Sequence, residues 1–201
     1  MSDKSYNILI VGVGGQGVLL ASEIISEIAL REGLDIKKSE VHGMSQRGGV
    51  VSSHVKLAPK VYSPTIHHGQ ADILISFEKA EGLRAIDWMK KDGVAIISTT
   101  SVVPAIVTSS KKFEYPDNAL DIMKEKCSKV MSVEGDKIAA ELGNPRLVNT
   151  ILLGLLSTLL PFSDERWKEV IKSKVKERFV DINLKAFEAG KALKADNISV
   201  Q

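Results

Sequence analysis

Residues 7–17 read NILIVGVGGQG, a short apolar run that passes directly into four glycines within six positions. A segment apolar at consecutive positions suits a strand covered on both faces, the environment of a central strand in a parallel sheet. The glycines permit a tight turn and a close backbone approach. Directly after them, from Gly17 to Arg31, Leu20, Ile24 and Ile28 repeat at helical spacing, and Gly33 marks the helix end. A strand, a glycine turn and a helix in this order commit the chain to an α/β architecture.

The rest of the first 160 residues fits that beginning. Ile36–Val41 reads as a weaker strand, and Val50–Leu57 as a strand in a hairpin or small antiparallel extension. Lys60–Ile66, interrupted by Pro64, reads as an edge strand. Ala71–Phe77 and Gly93–Ser98 are clear strands with a helix, Glu78–Lys91, between them. Helices over Asp117–Lys126 and Asp136–Leu142 flank a strand at Lys129–Val133. Asn144 and Pro145 start a helix apolar nearly all round, which Pro161 stops. Ser163, and then Asp181, start the last two helices. The expected fold is Rossmann-like: a mostly parallel sheet with helices on both faces and a C-terminal helical extension. Residues 1–162 form the α/β body, and the charge-dense residues 163–201 pack on the same domain.

Composition narrows the function classes. Twenty-seven Lys and Arg against 25 Asp and Glu give a net charge of +2, so no global field draws the chain to nucleic acid. The single cysteine, Cys127, excludes a disulfide framework and any cluster or zinc site built from several thiolates of this chain. The longest apolar stretch, Ile151 to Phe162, falls well short of the roughly 20 residues that a membrane span needs. The N-terminus lacks a basic region followed by a long apolar one, so the expected location is the cytoplasm.

Two glycine-rich loops are the candidates for chemistry. Gly12-Val13-Gly14-Gly15-Gln16-Gly17 is a G-x-G-x-x-G between strand and helix, where unpaired N–H groups and the positive helix end suit an anion. The alternative is a turn that only lets the first strand and helix pack. A nicotinamide dehydrogenase also needs a second apolar strand ending in Asp or Glu for the ribose. Here Lys37 and Lys38 interrupt that strand, and Glu40 leads into His42-Gly43. The second loop, His42 to Gly49, holds Ser45, Gln46, Arg47 and Gly48, a set of donors suited to a carboxylate or phosphate, or a wide turn bonded to itself. Both loops follow the first strands and open on one edge of the sheet.

Other residues carry less. His42, His54, His67 and His68 lack metal-ligand spacing, and no G-x-S-x-G elbow supports a hydrolase. Glu78, at a strand's carboxyl end, is either a polar site residue or a helix cap. Cys127 reads as a lone semi-buried thiol, and Lys168, Lys172, Lys174 and Lys176 as a solvated face.

GVGGQG at 12–17, EVHGMSQRGG at 40–49, SFEKAEGLR at 76–84 and VDINLKAFEAGK at 180–191 together resemble the beta subunits of the indolepyruvate:ferredoxin oxidoreductases. More broadly they resemble the gamma domain of the 2-oxoacid:ferredoxin oxidoreductases. The resemblance runs along nearly the whole chain, with HGMSQRGG its most specific part. It implies a subunit of a complex that oxidatively decarboxylates an aryl pyruvate with CoA and ferredoxin. Thiamine diphosphate and the iron–sulfur clusters are then expected on a large alpha subunit, and this chain holds no cofactor alone. The chain would complete the active-site wall and help place CoA; from their charge and backbone donors, and not from the resemblance, the loops Gly12–Gly17 and His42–Gly49 are expected to face the partner or the CoA phosphates, with Arg47 the anion contact. A gamma subunit for pyruvate or 2-oxoglutarate, and a stand-alone nucleotide- or CoA-binding module, stay open as alternatives.

Overall fold

The computed structural model describes residues 5–43, 49–103 and 114–196. The first strand, β1 (Tyr6–Val13), is apolar at successive positions because both its faces are covered. Ile8 and Ile10 belong to one core layer, Leu9 and Val11 to the other. Each such buried side chain stabilises the fold by about 1.5–3 kcal/mol.

Helix α1 (Val18–Arg31) turns Ala21, Ile24, Ile25 and Ile28 inward and leads to β2 (Asp35–His42), an edge strand. β3 (Val50–Ala58) then returns antiparallel to both β2 and β1 and lies between them. β4 (Ala71–Ser76), β5 (Met89–Ser98) and β6 (Lys129–Val133) extend the sheet in parallel on the other side, in the order β2-β3-β1-β4-β5-β6. The α/β class and mostly parallel sheet expected from the sequence are therefore present, with β3 alone reversed among the described strands.

Helices cover both faces. α1, α4 (Gly135–Glu141), α5 (Val148–Ser157), α6 (Asp164–Lys174) and α7 (Val180–Asp196) share one layer with Ile8 and Ile10. α2 (Lys79–Ala85), a 3-10 turn at Ile86–Trp88 and α3 (Ala119–Lys126) cover Leu9 and Val11. Trp167 of α6 is fully buried and stacks on Phe187 of α7. Ion pairs Arg31–Glu169 at 2.6 Å and Arg166–Glu32 at 2.7 Å tie α6 to the end of α1.

α5 and α7 meet through two glycines. A Cβ on Gly154 would overlap the Phe187 carbonyl oxygen, and one on Gly190 would overlap that of Ile151. Only glycine lets the two backbones approach this closely.

Two local expectations are corrected. Lys60–Ile66 is not a strand: Val61 N–H donates to Asp35 Oδ2 at 2.9 Å and Ile66 N–H to His54 Nδ1 at 3.2 Å. These backbone donors are satisfied by side chains, so no neighbouring strand is needed. The helix expected over Glu78–Lys91 ends at Ala85, and Met89 already opens β5. Met89 pairs with Ala71 and Val94 with Ile73, so Lys90–Gly93 forms a bulge in β5. That bulge breaks the alternation by which a strand is read.

Candidate functional site

β1 connects through α1 to one side of the sheet, while β4 and β5 build the other. The reversal lies between β1 and β4, whose carboxyl ends frame the crevice where open α/β sheets bind ligands. The first glycine loop and the described flanks of the second, His42, Gly43 and Gly49, stand at this edge.

Gly14 N–H donates to the Gly49 carbonyl at 2.9 Å, and Gly43 N–H to Val50 O at 2.8 Å, so the two loops are joined through their backbones. Gly15 is exposed with φ 99°, and Gly17, with φ 89°, precedes α1. No side chain caps that helix and no acidic residue stands in its first turn. Among the described residues, no acceptor meets the backbone N–H groups of Gly15, Gly17, Val18 and Leu19. Such unmatched donors, with the positive end of the helix dipole, favour an anion.

Gln16 crosses the crevice. Its Oε1 accepts Val13 N–H at 2.7 Å, and its Nε2 donates to the Phe77 carbonyl at 3.1 Å. A Cβ at Gly12 would sit 2.9 Å from Gln16 Oε1 and 2.9 Å from Phe77 Cβ. The first glycine of the motif thus makes room for the chain's own glutamine.

His42 ends β2, exposed, with Nε2 3.9 Å from Glu40 Oε2. Burial pushes the Glu40 carboxyl up, but the hydrogen bonds of Lys38 and Ser22 and the charges of Lys38 and His42 together hold the group below its ordinary value. Ser45, Gln46, Arg47 and Gly48 lie outside the described residues.

Glu78 reaches the same edge, but its carboxylate turns inward and is 1% exposed. Oε2 accepts Glu81 N–H at 2.9 Å as the cap of α2, while Oε1 accepts Val102 N–H at 3.1 Å and the Tyr115 hydroxyl. Burial and the Glu78 bond push the Tyr115 phenol up to about 12. Burial likewise raises the Glu81 carboxyl; Arg84 opposes the rise and the Glu78 charge adds to it.

The sequence reading missed Asn149. It interrupts the apolar helix α5, is buried, and places Nδ2 2.9 Å from where a Cβ on Gly17 would be. Its Oδ1 accepts Thr150 N–H at 2.8 Å, and the Thr150 hydroxyl donates to Asn183 Oδ1 at 2.7 Å. The signal was the polar pair Asn149-Thr150 inside a run otherwise apolar.

Cys127 is buried with Sγ 3.3 Å from the Gly93 carbonyl. Among the described residues no three His, Cys, Asp or Glu side chains converge to hold a metal ion. With one cysteine in the sequence, a cluster held by several thiolates of this chain does not fit. No described helix is long and apolar enough to cross a membrane.

A mostly parallel sheet with an inserted antiparallel strand, and a glycine-rich edge closed by its own glutamine, define an α/β protein of the open-sheet class. The chain belongs to the pyruvate ferredoxin/flavodoxin oxidoreductase family, whose model matches residues 7–193. It is 40% identical over 192 residues to the indolepyruvate oxidoreductase subunit IorB of Thermococcus kodakarensis, covering 93% of this chain and 95% of that one. The IorB subunit of Pyrococcus horikoshii is 39% identical, with the same coverage. The solved gamma subunit of a keto/oxoacid ferredoxin oxidoreductase from Geobacter sulfurreducens superposes with a TM-score of 0.73 at 22% identity, over 96% of this chain and 98% of that chain. A 2-oxoglutarate:ferredoxin oxidoreductase from Magnetococcus marinus gives 0.77 at 23% identity, over 100% of this chain and 32% of that chain. Both likenesses concern the fold.

Proposed function

We propose that this chain is the small subunit of an indolepyruvate:ferredoxin oxidoreductase and that it works only in complex with a large subunit. The observation that carries the reading is the similarity to the IorB subunits, which extends over nearly the full length of both partners. The single cysteine of the sequence suits a division of labour. In it, thiamine diphosphate and the iron–sulfur clusters belong to the large subunit and supply decarboxylation and electron transfer to ferredoxin.

This chain's task is to complete the active-site wall. Gly15 and Gly17, with Val18 and Leu19, present backbone donors toward the CoA phosphates, Gly14 ties the loop to Gly49, and Arg47 supplies a fixed positive charge for the same anion. His42, Ser45, Gln46 and Gly48 belong to the same rim. Residues 163–201 act with the body as one unit in the cytoplasm, and the complex needs neither nucleic acid nor membrane.

The test mixes the purified chain with its large subunit and follows ferredoxin reduction with indolepyruvate, phenylpyruvate, pyruvate and 2-oxoglutarate. CoA-dependent turnover fastest with the aryl pyruvates is the expected result, with none from this chain alone. Preference for pyruvate or 2-oxoglutarate, or turnover by the chain alone, would overturn the reading.

A further inference from the structure

We propose that Gln16 is a positioning residue: its side-chain amide straps the turn after β1 to the carboxyl end of β4 and so holds the Gly14–Gly15 backbone in its ligand-facing shape. Three observations carry this. Both ends of the amide are engaged within the chain, Oε1 by Val13 N–H and Nε2 by Phe77 O. The space it occupies is preserved by Gly12, where a Cβ would press on Gln16 Oε1, Phe77 Cβ and Val18 Cγ2. Phe77 is itself fixed, because its own N–H donates to Val11 O at 2.9 Å, back across the crevice to β1.

The strap spans the switch point between β1 and β4, where an open α/β sheet ordinarily admits its ligand. A ligand at this edge therefore sits above the strap, on the exposed Gly15 side. The amide is suited to this because it must accept at one end and donate at the other. A carboxylate of the same size can do only the first, and sets an oxygen against the Phe77 carbonyl.

The inference rests on the reading that this edge meets CoA, and the experiment separates the two. In the reconstituted complex, Gln16→Glu should raise KM for CoA about tenfold at neutral pH, a shift of about 1.4 kcal/mol, while kcat falls far less. Lowering the pH should bring KM back, because the introduced carboxyl, once protonated, donates to Phe77 O again. In the isolated full-length chain, amide exchange should show Val13 N–H losing protection in Gln16→Ala, which removes its acceptor, and keeping it in Gln16→Glu, which loses only the donor to Phe77 O.

An Arg47→Ala variant serves as the reference. Raised KM in Arg47→Ala with wild-type KM in Gln16→Glu overturns the strap and leaves the CoA edge standing. Wild-type KM in both overturns the edge itself. Raised KM in Gln16→Glu with Val13 N–H still protected in Gln16→Ala overturns positioning, because Gln16 would then touch the ligand directly.

Discussion

The Tyr115 hydroxyl donates to Glu78 Oε1, a short bond across 37 residues of sequence. The same oxygen accepts Val102 N–H, and the other caps α2 through Glu81 N–H. One buried carboxylate thereby gathers the start of α2, the chain after β5 and the approach to α3.

Removing the hydroxyl with Tyr115→Phe leaves a buried carboxylate short of one donor. The expected loss is about 1.5–3 kcal/mol, the range for a hydrogen bond to a charged group, read by urea denaturation. The phenol is raised from 10.0 to about 12, so the stability it contributes is complete below pH 10 and is lost as pH rises through about 12. An absorbance titration of wild type minus Tyr115→Phe should show a phenol ionising near 12. A difference centred near 10 refutes the bond.

Much of the architecture was legible because it follows from local burial. β1 reads as a strand since Ile8, Leu9, Ile10 and Val11 are covered on both sides, and α1 since its apolar residues keep to one stripe. The place of β3 was not legible. Its pattern suits a hairpin, but whether a hairpin lies outside the sheet or inserts beside β1 depends on pairing across Val50–Leu57, which no local pattern encodes. The insertion also explains why no dinucleotide strand could be found: the neighbour of β1 on that side runs antiparallel. At the site, glycine positions were legible, but what they make room for was not. Gln16 and Asn149 act by filling space at Gly12 and Gly17, and that appears only in three dimensions.

Asp35 gives an acid-side prediction. Its carboxyl accepts Val61 N–H at 2.9 Å, a bond that outweighs burial and, with Lys37 and Lys60, lowers it from 3.8 to about 2. The depressed value means that its stabilisation is present above pH 3.8 and is lost as pH falls through about 2. Carboxyl NMR should follow Asp35 to the low end of that window. Asp35→Ala should loosen the segment at Val61, with its amide exchange accelerated.

The glycines of the first loop should separate by cause. Gly15→Ala meets only its φ of 99°, with open space around the new methyl, and should cost about 1–2 kcal/mol. Gly17→Ala adds contact with Asn149 Nδ2 at 2.9 Å to a φ of 89°, and should cost more. Equal melting temperatures for the two variants would count against a role for Asn149 beneath the loop.

At the α5–α7 crossing, Gly190→Ala or Gly154→Ala forces two helices apart by setting a methyl on a carbonyl oxygen. Each should cost roughly 3 kcal/mol or more, the upper end for overpacking. A variant that folds with wild-type stability would show that the helices do not meet this closely.

That crossing also sets an order of events during synthesis. α5 is buried along its whole length, and what buries much of it, Phe187 and the backbone around Gly190, is made some 40 residues later. At roughly 5–20 residues per second, the greasiest helix of the chain waits about 2–8 s for its cover. α5 therefore cannot reach its native burial before α7 has docked on it.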